Sequence, residues 1–227
     1  MTTEKNMRFG VGDAGEVSTI FLRPSDAGCL LVLAHGAGAG MRHSFMEEMA
    51  EELAGAKVAT LRFNFPYMEQ RRKVPDRAPV PTEAVLAAVR AAAEAAPEVP
   101  LFAGGKSYGG RMTSQASAET SLPNVRGLVF FGFPLHPPDQ PSTKRAEHLA
   151  RVKLPMLFLQ GTRDKLADLS LLRPICARLG SRATLHIIET ADHSFHVLKS
   201  SGKTDAEVMR ELARTVAEWT ENLNRQE

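Results

Sequence analysis

Three residues of this 227-residue chain could share one reaction: Ser107, Asp164 and His193. Ser107 lies in Gly105-Lys106-Ser107-Tyr108-Gly109, a G-x-S-x-G pattern. An apolar run, Val99 to Ala103, precedes it, and a helix-like stretch from Met112 to Ala118 follows. Between a strand and a helix this pattern describes a sharp turn that lifts a serine hydroxyl above a sheet. The strand and helix backbones then come close together, and glycine is the residue that fits beside the serine. The helix N-terminus would also point backbone N–H groups at any negative charge forming near Ser107.

A serine hydroxyl is a poor nucleophile unless a base takes its proton, a third group orients the base, and donors receive the developing oxyanion. The order serine, acid, histidine along the chain suits a strand–turn–helix serine. His193 is the expected base, with His196 as its rival; His186 falls within a strand-like run. Asp164 is the expected orienting acid, directly after the run Met156 to Gln160. Asp168 is the alternative acid, but it stands where a helix cap is needed. Asp192 adjoins His193, and neighbours on a loop seldom face each other. The oxyanion donors are expected to be the backbone N–H groups of Tyr108 and, from the turn His35-Gly36-Ala37-Gly38, of Ala37. Gly36 would line the substrate's approach. The same glycines also spell the end of a phosphate-binding loop, G-x-x-x-x-G-K-S, but Pro100 stands where its first glycine must be.

The elements that would position these groups alternate along the chain. Strand-like runs are Val17–Leu22, Cys29–Ala34, Val58–Phe63, Gly127–Phe131, Met156–Gln160 and Thr184–Ile188. Asp13-Ala14-Gly15 can turn a hairpin into the first of these. Ser44-Phe45-Met46-Glu47 and Thr204-Asp205-Ala206-Glu207 have capping-box spacing, and Thr82 can cap an alanine-rich helix. Met209, Leu212, Val216, Trp219 and Leu223 fall on one face of a closing helix, with Trp219 as a core anchor. Alternating strands and helices predict an α/β fold: a doubly wound, mostly parallel sheet with helices on both faces. Sites in such sheets lie beyond the carboxyl ends of the strands, where every candidate residue falls.

Composition narrows the function classes. A 43% hydrophobic content supports a sizeable core, and residues 1–227 read as a single domain without linker or repeat. The net charge of +2 does not argue for a nucleic-acid partner. Two cysteines, Cys29 and Cys176, make no disulfide framework and read as buried thiols. The polar N-terminus and the lack of long apolar runs predict a cytoplasmic protein with no membrane partner. No cofactor and no metal are expected.

Five stretches together resemble one family: His35-Gly36-Ala37-Gly38, Arg62 to Tyr67, Gly104 to Arg111, Pro134 to Pro138, and Asp192 to Phe195. The resemblance is to the α/β-hydrolase family over nearly the whole chain. It is narrower still to the small group related to testis-expressed protein 30 and to the hydrolase-like subunit of a chromatin-acetylation complex. It extends more distantly to dienelactone hydrolases, which carry cysteine where this chain has Ser107. The resemblance implies the α/β-hydrolase fold, the triad above, and a small-molecule carboxylic ester or thioester as substrate. Some members of the narrower group serve as scaffolds, so an idle hydrolase fold used for interaction is the alternative. The stretch from Gly132 to Pro155 is too short for a multi-helix cap. Phe133, Leu135 and His136 are expected at the rim of an open site. Arg71-Arg72-Lys73 and Arg77 form a basic loop that would attract an anionic substrate or acidic partner if it is more than a solvated surface.

Overall fold

Four strands of this protein are buried along their whole length, and each overlaps an apolar run of the sequence, β5 continuing past its run through Gly104 and Gly105 to Lys106. They are β3 (Cys29–Ala34), β4 (Val58–Phe63), β5 (Leu101–Lys106) and β7 (Met156–Gly161). Continuous apolar character is what a strand needs when helices cover both faces of its sheet. The computed structural model describes residues 1–225. With β1 (Thr2–Gly10), β2 (Glu16–Pro24), β6 (Val125–Phe131) and β8 (Ala183–Ile188), these strands form one eight-stranded sheet. Its order is β1-β2-β4-β3-β5-β6-β7-β8. β1 and β2 are antiparallel and β2 runs antiparallel to β4, while every other pair is parallel.

Alternation along each strand divides the core in two. In β3, Leu30, Val32 and Ala34 face one cluster, and Cys29, Leu31 and Leu33 face the other. The first cluster is closed by α3 (Val80–Ala95), α4 (Tyr108–Glu119) and α5 (Leu169–Leu179). The second is closed by α1 (Ser44–Gly55) and α6 (Asp205–Asn224). A four-residue helix, α2 (Pro66–Glu69), follows β4. A 3₁₀ helix covers Lys144–Arg151.

Local signals were obeyed unevenly. The capping box at Thr204 and Glu207 is formed, and Asp168 caps α5 by accepting from Ser170 N at 2.8 Å. The box at Ser44 is not formed: His43 caps α1, its Nδ1 accepting from Phe45 N. Thr82 does not cap α3, which begins two residues earlier at Val80, with Pro81 in its first turn. The Thr82 hydroxyl instead donates to the Pro79 carbonyl. The polar N-terminus is a strand: β1 pairs with β2 from Thr2 opposite Pro24 to Gly10 opposite Glu16. Its first five residues are exposed, so no buried face marks it in the sequence.

Trp219 is half-buried, 6.0 Å from the Phe102 ring, with its Nε1 donating to Thr184 Oγ1. A β-carbon at Gly127 would lie 2.7 Å from its ring, so glycine is required in β6 at that point. Cys29 and Cys176 are buried and free, and burial pushes both thiols up to about 11. Among the described residues no helix is long and apolar enough to cross a membrane.

Candidate active site

β5 runs straight through Gly104 and Gly105 to Lys106, and α4 starts at Tyr108. Ser107 is the whole of the turn, with φ 51° and ψ −114°. That backbone is rare for a residue bearing a β-carbon and persists only where the surroundings enforce it. The flanking glycines show how. A β-carbon at Gly105 or at Gly109 would lie 2.3 Å from the Ala34 carbonyl oxygen. β3 therefore touches both sides of the turn, and side chains there would force it open.

The Ser107 hydroxyl lies 2.9 Å from His193 Nε2, and His193 Nδ1 lies 2.7 Å from Asp164 Oδ2. Three segments make this chain: the β5–α4 turn, the loop after β8 and the loop after β7. The Asp164 side chain is fully buried. Its Oδ1 accepts from Leu166 N at 2.8 Å, and its Oδ2 also accepts from Gln160 Nε2 at 2.5 Å. Burial pushes this carboxyl up. The His193 hydrogen bond and charge, the Leu166 amide and the Lys106 charge outweigh that, holding it below the usual range. At neutral pH it is a carboxylate surrounded by donors, suited to hold an imidazole in one tautomer.

The rival groups are occupied elsewhere. His196 Nδ1 lies 2.7 Å from Asp205 at the start of α6, and His186 Nε2 lies 3.0 Å from Glu211. Asp192 accepts from Ser194 N and His196 N, shaping the loop that carries His193. Two residues that motif reading missed stand at the centre. Gln160 ends the apolar run of β7, donating to Asp164 and accepting from Phe133 N at 3.1 Å. Lys106 ends β5. A lone polar side chain closing a buried strand is the signal that would have marked both.

The turn His35 to Gly38 abuts the serine: a β-carbon at Gly36 would lie 3.9 Å from Ser107 Cβ. Among the described residues neither Ala37 N–H nor Tyr108 N–H donates to a backbone or side-chain acceptor. Gly38 N–H donates to the Tyr67 hydroxyl at 2.9 Å, tying the turn to α2. A cavity of about 430 Å³ opens over Ser107. Gly36 and Ala37 line it, with Leu166, Phe45, Met46 and Met209 as its apolar wall.

Phe133, Leu135 and His136 are not at this rim. Phe133 and Leu135 are buried in the core, and Phe133 packs on Phe130 and Phe158. His136 is also buried, its Nδ1 donating to Pro137 O and its Nε2 accepting from Asp168 N. The reason is a backbone tie: Leu135 N and His136 N both donate to Leu166 O, which folds this segment inward and turns Leu166 to the cavity instead. The basic loop does not line the cavity either; Arg72 bonds to Gln70 and Asp76.

His35 is buried beneath the glycine turn. Phe65 N–H donates to its Nε2 at 3.1 Å, so the proton sits on Nδ1, which donates to Gly36 O at 2.7 Å. Burial pulls the imidazole down to about 4, against the Gly36 carbonyl. His148, bonded to Ser114 Oγ, is also pulled to about 4, by burial and then by Arg111 and Arg151. The unfolded chain binds protons at ordinary histidine pKa while the folded one does not. This stabilisation is complete above about pH 6.5 and is lost as pH falls towards 4, for His35 on the order of 3 kcal/mol. The thermal midpoint is expected to drop across that window, and less steeply in His35→Gln. Parallel curves for the two proteins would remove His35 from the account.

The fold and site can be set beside known structures. The dienelactone hydrolase from Anabaena variabilis superposes with a TM-score of 0.76 at 20% identity, covering 97% of this chain and 98% of that one. An α/β serine hydrolase without lid from Xanthomonas campestris gives 0.73 at 17% identity, covering 95% and 94%. A cold-adapted esterase from an Arctic intertidal metagenomic library gives 0.65 at 19%, covering 94% of each chain. At such identities the likeness is one of fold. Residues 27–221 match the family described as alpha/beta hydrolase domain, and with this sheet and its turn at Ser107 the chain belongs to that family.

Proposed function

We propose that this protein, acting as one domain, hydrolyses a carboxylic ester or thioester through an acyl-serine at Ser107. The observation that carries the reading is the hydrogen-bonded chain from Ser107 through His193 to Asp164, at 2.9 and 2.7 Å. In the first step His193 Nε2 takes the hydroxyl proton as Ser107 Oγ bonds to the acyl carbon. The imidazolium that forms is held by the Asp164 carboxylate. The tetrahedral oxyanion accepts from Ala37 N–H and Tyr108 N–H, each donor worth about 2.7–4 kcal/mol in comparable sites. The intermediate collapses, and His193 passes its proton to the departing alcohol or thiol. Water then repeats the sequence on the acyl-serine, and the carboxylic acid leaves.

The apolar wall of Phe45, Met46, Leu166 and Met209 suits a hydrocarbon acyl group. Neighbours described as dienelactone hydrolase and esterase favour the same reaction class. We also propose a kinship with the small group related to testis-expressed protein 30 and to the hydrolase-like subunit of a chromatin-acetylation complex, in which a scaffold role is the alternative. The purified protein is to be treated with a fluorophosphonate and a panel of p-nitrophenyl esters and acyl thioesters. Stoichiometric labelling and turnover of apolar acyl esters are expected. A folded protein that neither labels nor turns over any of them would favour the scaffold.

A further inference from the structure

Lys106 is the last residue of β5 and the chain neighbour of Ser107. An ammonium at the end of a buried strand is costly unless it is paired. Lys106 is only 8% exposed, and among the described residues no carboxylate lies within ion-pair distance of it. Its Nζ donates instead to the main-chain carbonyl of His193 at 2.5 Å. The Phe45 and Phe195 rings stand 5.6 and 5.5 Å from the same nitrogen, from α1 and from the loop after β8. Aromatic faces of this kind partly replace the water an ammonium loses. Burial lowers the amine to about 8, with Asp164 and Asp192 pulling it back, so it is mainly charged at neutral pH.

Stability does not account for such a residue, because an apolar side chain of similar volume usually serves a buried site as well or better. The bond partner does account for it. Among the described residues its one hydrogen-bond acceptor is the backbone of the histidine that faces Ser107. Gly132, with φ +68°, makes room for the contact: a β-carbon there would lie 3.1 Å from Lys106 Nζ and 3.3 Å from the His193 ring.

We propose that Lys106 is a positioning residue for His193, its ammonium clamping the loop after β8 to the strand that presents Ser107. The proposal rests on the reading of Ser107 as nucleophile and His193 as base. Asp164 fixes the ring of His193, and Lys106 fixes its backbone. With both in place the imidazole cannot swing away from the hydroxyl. A misplacement of about 1 Å at a reacting group costs on the order of 10²-fold in rate.

The test uses Lys106→Met and Lys106→Ala. Each is measured for kcat, KM and thermal midpoint with the best ester of the panel. Each is also examined by proton NMR for the downfield His193 Nδ1–H signal. Lys106→Met is expected to lose about 10–100-fold in kcat with KM nearly unchanged. Its midpoint should not fall, and its downfield signal should broaden. Lys106→Ala should be similarly slow and regain part of its kcat with added ethylammonium, but not with ethanol. Wild-type kcat in Lys106→Met would overturn the proposal, as would a rise in KM alone, which would put Lys106 on the substrate. Ethanol rescuing as well as ethylammonium would also overturn it, by reducing Lys106 to a filler of space. Should the methionine variant not fold, the alanine variant with and without ethylammonium carries the test. If Ser107→Ala still labels and turns over, the reading of the site fails instead. The NMR signal then tests the clamp by itself, since it requires no substrate.

Discussion

Ser107→Ala is expected to abolish covalent labelling by a fluorophosphonate and to lower esterase kcat by about 10⁴-fold or more. The variant removes the oxygen proposed to carry the acyl group, while Ala37 N–H, Tyr108 N–H and the cavity remain. What activity survives is the part owed to binding and the oxyanion donors. Alanine keeps a β-carbon at φ 51°, so the strain of the turn is unchanged, and the midpoint should stay close to wild type. The measurement is intact-protein mass spectrometry after labelling, alongside kcat. Equal labelling of the two proteins would move the nucleophile elsewhere in the chain and take the proposed acyl-serine with it.

Asp164→Asn is expected to lower kcat by about 10³–10⁴-fold, because an amide in that place favours the wrong imidazole tautomer and cannot stabilise the imidazolium. Three donors converge on the carboxylate: His193 Nδ1, Gln160 Nε2 and Leu166 N. An asparagine must turn its own NH₂ towards at least one of them. The variant should therefore also lose roughly 1–3 kcal/mol of stability. Asp168→Asn should keep most of its activity and its midpoint, since its carboxylate caps Ser170 N and asparagine caps about as well. Measuring kcat and midpoint for both variants side by side decides the matter. An inactive Asp168→Asn would put the acid at the head of α5. Full activity in both, with Ser107→Ala inactive, would leave a Ser–His pair without the aspartate.

Much of this arrangement can be read from local pattern. A run such as Cys29 to Ala34 is apolar throughout because both faces are covered, and that holds wherever the strand lies in the sheet. The tight turn at Ser107 is equally local, since only glycine tolerates backbone carbonyls at 2.3 Å from the place of a β-carbon. The sites of Ser107, Asp164 and His193 beyond the ends of β5, β7 and β8 follow from the alternation of elements. Thr204 with Glu207, and Asp168, act within one turn of the chain and show in its spacing.

Other features depend on contacts between distant segments. β1 is exposed and polar, and only its ladder to β2 makes it a strand. Ser44 and Thr82 have good capping chemistry, but the paths entering α1 and α3 put His43 and Pro79 at the caps. Phe133, Leu135 and His136 lie in a proline-broken stretch that resembles an exposed rim until the Leu166 carbonyl draws their backbone inward. Lys106 stands at a variable position of the serine motif and Gln160 in none, and their meaning lies in partners brought to them by the fold. The amino-acid sequence by itself determined the alternation of strands and helices after β1, the turn at Ser107 and the order in which Ser107, Asp164 and His193 occur, because each rests on periodicity or on sterics between near neighbours. Tertiary structure alone decided the 2.9 and 2.7 Å contacts, the wall of the cavity and the bond from Lys106 to His193, because hydrogen bonds between residues up to 87 positions apart exist only once the sheet has set their strands side by side.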